Sequence, residues 1–67
     1  MSDWERERRR ILALLNYRSH RSSMLYLRKR AFRWVDLLPT PEAQERATAA
    51  IADASTPHEL RLILEEF

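Results

Sequence analysis

The chain has no glycine anywhere in its 67 residues. Tight β-hairpins need backbone at positive φ, which glycine adopts at least steric cost. A chain with none, and with few β-branched residues, is poorly equipped to return strand upon strand. It is suited to helices joined by turns that proline and hydroxyl residues can make. The three prolines, Pro39, Pro41 and Pro57, stand where helical periodicity breaks. The sequence therefore predicts an all-α fold, a small bundle of three to four helices built on a helical hairpin. The bundle occupies one domain, 1–67, because domains rarely fall below about 50 residues.

Start signals divide the chain. Ser2 followed by Glu5 forms a capping box, so a first helix should run to about Tyr17. At 100° per residue, Trp4, Ile11, Leu12, Leu14 and Leu15 fall on one side, with Arg6, Arg9 and Arg10 opposite. Arg8 lies within the apolar arc, where its stem would snorkel. Asn16 to Ser23 is poor in strong helix formers. It is read as a break, with Ser22 or Ser23 capping the next helix. The alternative, one helix from Asp3 to Leu38, would far exceed the usual length of ~10–14 residues.

The second helix is expected over about Ser23 to Leu38. Met24, Leu27, Ala31, Trp34, Val35 and Leu38 share its apolar arc, Leu25 and Phe32 flank it, and Tyr26 and Leu37 extend it. The arc covers roughly half the circumference, more than one neighbour usually buries, so this helix is central or meets a second chain. Pro39 ends it. Thr40-Pro41-Glu42 opens a third helix with a cap, a proline at the first position and an acid in the first turn. Ala43, Ala47, Ala50 and Ala54 form a small-residue ridge beside Ile51. Thr56 and Glu59 make a second capping box around Pro57, and Leu60, Ile63, Leu64 and Phe67 line one face of a fourth helix, with Leu62 pointing away.

Several function classes lose support. Cysteine is absent, so disulfides and cysteine-based metal sites are excluded. No apolar run approaches the 18 residues of a membrane span. The charged stretch Met1–Arg10 leads into a short apolar run, Ile11–Leu15, without a small-residue cleavage site. A signal peptide is thus not expected, and the cytoplasm is the expected compartment. An apolar content of 45% with two Trp, two Tyr and two Phe argues against disorder. His20 and His58 have no spacing partner for metal or nucleophile chemistry. Glu65 and Glu66 read as a solvated tail. A chain this small is not expected to form a pocket of ~300 Å³ unaided. No catalytic, cofactor-binding or metal residue is assigned, and the chain is read as a non-enzyme.

Charge is uneven. Residues 1–35 hold ten basic and three acidic residues, a sum of +7, and residues 36–67 hold two basic and seven acidic, a sum of −5. The favoured expectation is self-neutralisation, with acidic helices folded against basic ones. The alternative is a polar molecule that docks an acidic partner or pairs with itself. A chain of this size buries only roughly 60% of its unfolded surface, and small chains with wide apolar arcs commonly oligomerise. The leading functional expectation is a protein-binding regulator or inhibitor, of the kind frequent on phages and mobile elements. It would pair as a homodimer across its second helix and bind a larger partner. The expected interface is Tyr26, Leu27, Phe32, Trp34 and Leu37, since Trp, Tyr and Arg are favoured anchors. A basic patch of Arg6, Arg9, Arg10, Lys29, Arg30 and Arg33 accompanies it. The alternative is a small DNA- or RNA-binding regulator that uses this patch on phosphates. A helix-turn-helix made from the last two helices would set Glu59 against phosphate.

The stretch Tyr17-Arg18-Ser19-His20-Arg21-Ser22-Ser23-Met24, with Thr56-Pro57-His58-Glu59-Leu60, resembles the small helical assembly factors that flavinylate succinate dehydrogenase. The resemblance covers Tyr17 to about Leu64. That family's Arg-Gly-x-x-Glu motif is missing, with Ser22-Ser23 and Tyr26 at the nearest positions, so no residue role carries over.

Overall fold

The structure, a computed structural model, describes residues 2–16 and 23–67. Among the described residues all regular structure is helical: α1 (Asp3–Asn16), α2 (Met24–Val35), α3 (Pro41–Asp53) and α4 (Pro57–Glu66). The expectations for Tyr17, His20 and Ser22, and most of the stretch quoted for the resemblance, lie outside the described residues.

Each helix begins on a side-chain cap. Ser2 and Glu5 form the reciprocal box: the Glu5 amide donates to Ser2 Oγ at 3.4 Å, and the Ser2 amide donates to Glu5 Oε1 at 3.3 Å. The Ser2 hydroxyl and, to a lesser degree, its amide hold the Glu5 carboxyl below the usual glutamate range. Ser23, Thr40 and Thr56 are extended at the N-caps of α2, α3 and α4, and their hydroxyls accept from the amides of Tyr26, Ala43 and Glu59. An extended Ser23 (φ −71°, ψ 159°) excludes a single helix from Asp3 to Leu38. Pro41 and Pro57 open their helices, where a missing N–H leaves no bond unmade.

α2 ends at Val35, three residues short of the expected Leu38. The Leu37 and Leu38 amides donate to the Trp34 and Val35 carbonyls, each at 3.0 Å. This tight turn carries Leu38, only 4% exposed, into the core ahead of Pro39. Gln44 Nε2 on α3 donates to the Leu38 carbonyl at 3.1 Å and secures the corner.

α2 is the central element, packed against α1, α3 and α4, while α4 also touches α1 and α3. These three neighbours from the same chain cover the middle of its apolar arc, Leu27, Ala31, Trp34, Val35 and Leu38. Trp34 lies at the junction and is fully buried. Its Nε1 donates to the Trp4 carbonyl on α1 at 2.9 Å. Its ring meets Phe67, just beyond α4, edge to face at 5.7 Å and 78°. α1 and α2 form an antiparallel hairpin, since Trp34 meets Trp4 and Arg30 meets Glu7. The rest of the core is Ile11, Leu27, Ala31, Val35, Leu38, Ala47, Ile51, Ala54, Leu60 and Leu64. Ala47 and Ala54 of the small-residue ridge are buried. The Arg8 guanidinium carbon lies over the Trp4 ring, 5.3 Å from its centroid.

These positions correct the expected interface. Leu27 and Trp34 are both 0% exposed, so neither can anchor a partner. Phe32 is half-buried and packs against the same core. Leu25, Tyr26 and Leu37 of the same helix and turn stay exposed, at 68%, 47% and 42%.

Candidate basic docking face

Tyr26, Arg30 and Arg33 recur at helical spacing on α2, with Lys29 beside them and Leu37 in the turn that follows. Residues four and seven apart share a face. Their stripe lies next to Asp3, Arg6, Glu7 and Arg10 of α1, at spacings of three and four. Two open grooves follow this seam. The first, of about 590 Å³, is lined by Glu7, Tyr26, Lys29, Arg30 and Arg33. The second, of about 380 Å³, is lined by Asp3, Arg6, Glu7, Arg10 and Leu37. Glu7 borders both and makes them one face. The expectation of no pocket near 300 Å³ is therefore not met, although these are open surface grooves.

Glu7 organises the seam. Arg30 Nε donates to Glu7 Oε1 at 3.0 Å, and Arg10 Nη1 lies 3.8 Å from Glu7 Oε2. Arg30 also donates through Nη1 to the Tyr26 hydroxyl at 3.2 Å. The Glu7 bond, followed by the weaker Tyr26 bond, raises the Arg30 guanidinium above its usual value. Arg6 pairs with Asp3. The face therefore presents five cations against two carboxylates, both already engaged by arginines. Lys29 and Arg33 are exposed and make no ion pair among the described residues.

Of the sequence-derived basic patch, Arg6, Arg10, Lys29, Arg30 and Arg33 come together here. Arg9 is exposed and lines neither groove. Tyr26 and Leu37, the two expected interface residues left at the surface (47% and 42% exposed), border the same face. Sequence reasoning missed Glu7 and Asp3 as members. The signal was present, because Asp3 and Arg6, and Glu7 and Arg10, are i, i+3 pairs. Leu62, expected to point away, is 54% exposed, and Leu25, placed at the flank of the α2 arc, is 68% exposed.

The expected self-neutralisation is corrected too. Three of the ion pairs among the described residues lie within α1 and α2, and the fourth, Arg61 with Glu65, lies within α4. None joins residues 1–35 to residues 36–67. The reason is the packing: α3 meets its neighbours through alanines and Ile51, and its acids Glu42, Glu45 and Asp53 stay exposed. Arg28, the α2 arginine turned toward α3 and α4, donates to the Ala54 carbonyl rather than to a carboxylate.

The chemistry available on this face is anion recognition. The Arg30 guanidinium is held by Glu7 and the Tyr26 hydroxyl, and Lys29 and Arg33 line the same groove. His58 is exposed at the start of α4. Among the described residues no three His, Asp or Glu side chains gather in a metal-binding arrangement, and no helix is long and apolar enough to cross a membrane. No protein-family profile, curated protein or solved structure matches the chain.

Proposed function

We propose that this chain is a non-enzymatic binding module, a regulator or inhibitor that docks an acidic surface of a larger protein through the α1–α2 face. One observation carries the reading: the face gathers Tyr26, Leu37 and five cations, and no acid of α3 or α4 pairs with any of them. Two carboxylates within the face favour a protein partner, whose surface offers both signs, over a uniformly negative phosphate backbone. Tyr and Arg are also the side chains most often found as interface anchors. Nucleic acid is the second reading, favoured by Lys29 and Arg33, one turn apart beside an aromatic ring and without an ion pair among the described residues.

The test is affinity capture from the native cell, with both protein and nucleic acid identified. Wild type is compared with Lys29→Glu/Arg33→Glu. A specific acidic protein that the wild type recovers and the double variant loses supports the proposal. Equal recovery by both variants refutes it. Recovery of nucleic acid alone, with duplex retardation that falls steeply as salt rises, assigns the face to the second reading.

A further inference from the structure

An anionic counterpart lies between the end of α2 and α3. Beyond the end of α2, Asp36, Pro41, Gln44, Glu45 and Thr48 surround an open depression of about 510 Å³ against α3. Asp36 and Glu45 are exposed and make no ion pair among the described residues. Asp36 follows Arg33 by three residues, yet the two do not pair. Lys29, Arg33 and Asp36 thus lie along one outward stripe, with positive charge at one end and negative at the other.

Such a stripe is complementary to a reversed copy of itself. A two-fold axis brings residue i of one copy to residue j of the other and j back to i. We infer that two copies of this chain pair antiparallel across the outward face of α2, with Lys29 and Arg33 of each copy meeting Asp36 and Glu45 of the other. The inference rests on the reading of the α1–α2 face as a dock for acidic protein, and it makes the chain's own acidic groove an occupant of that dock. The pairing does not use Trp34 or Leu27. Because its contacts are exposed charges, it is weak and strongly salt-dependent. A larger acidic partner that covers Lys29 and Arg33 displaces the second copy, so partner binding and self-pairing exclude one another.

The experiment is sedimentation equilibrium over a concentration series, at about 0.01 M and about 1 M salt, where the screening length falls from ~30 Å to ~3 Å. Wild type should move from monomer toward dimer at low salt, and its association constant should fall at least about tenfold at high salt. Lys29→Glu/Arg33→Glu alone and Asp36→Lys/Glu45→Lys alone should each stay monomeric. An equimolar mixture of these two variants should dimerise, and so should the chain carrying all four changes. All four residues are exposed, and circular dichroism verifies that each variant keeps its helices. A wild type that stays monomeric at both salts, reversals that leave association unchanged, or helical variants that fail to pair when mixed would each overturn the inference. The two proposals fail separately. If Asp36→Lys/Glu45→Lys still dimerises while capturing the acidic partner, the self-pairing is wrong and the docking face stands. If Lys29→Glu/Arg33→Glu loses self-pairing yet keeps the partner, the docking reading is wrong and the self-pairing stands.

Discussion

Trp34 shows how one side chain can hold several helices together. It is fully buried, gives its indole N–H to the Trp4 carbonyl and packs its ring on Phe67. Phe67 is in turn covered by Arg46, whose guanidinium carbon lies 5.2 Å from the ring centroid. Truncating a buried aromatic costs about 3–5 kcal/mol, while a chain of this length has a total stability of roughly 3–10 kcal/mol. Trp34→Ala should therefore lose most of its helical signal and its cooperative urea transition at room temperature. Trp34→Phe should remain folded but weakened by about 1–3 kcal/mol, because the Trp4 carbonyl loses its buried donor. A Trp34→Ala chain with a wild-type midpoint would show that the side chain is not the junction of the core. Helical periodicity placed Trp34 among the apolar residues of α2. It could not tell a contact with α1 and Phe67 from a contact with a second molecule, because both need the same face.

Among the helices, α3 is the one whose packing depends most on small size. Ala47 is fully buried and Ala54 is 2% exposed, so α3 approaches its neighbours through methyl groups. Ala47→Leu should destabilise the protein by about 1–3 kcal/mol through overpacking. Ala49→Leu, on the exposed side of the same helix, should change stability by less than about 0.5 kcal/mol. Chemical denaturation of the pair checks this, and equal effects would mean that α3 is not closely packed. The ridge was legible because alanines spaced at three and four residues share a helical face. The caps were legible for a related reason: Ser2, Thr40 and Thr56 act on amides three residues away. The end of α2 was less legible. Pro39 marks a limit to the helix, but the turn after Val35 depends on where Leu38 must go to reach the core.

For the molecule as a whole, the core and the basic face are physically separate. α2 gives Leu27, Ala31, Trp34 and Val35 to the interior, and Tyr26, Lys29, Arg30 and Arg33 to the seam with α1. Lys29→Glu/Arg33→Glu should thus leave the unfolding free energy within about 0.5 kcal/mol of wild type, since both residues are exposed and outside any ion pair among the described residues. A larger loss in thermal or urea unfolding would mean that the cationic face contributes to the fold. That separation is what allows the binding experiments to be read as binding. The all-helical class and the caps at Ser2, Thr40 and Thr56 were readable from the amino-acid order, because each cap rests on groups within four positions along the chain, whereas the number of helices was left at three to four. That Lys29, Arg30 and Arg33, and Arg6 and Arg10, share helix faces follows from their spacing, since each helix sets its own outward arc. Packing settled the rest. Periodicity orders residues around a helix but does not say how many neighbours cover the arc, and here helices of the same chain bury Leu27 and Trp34, two of the residues first expected at an interface, while Tyr26 and Leu37 stay exposed. Charge totals do not say which ions meet. The acidic half turned its alanines inward and its carboxylates to water, leaving the basic seam compensated only by Asp3 and Glu7 among the described residues.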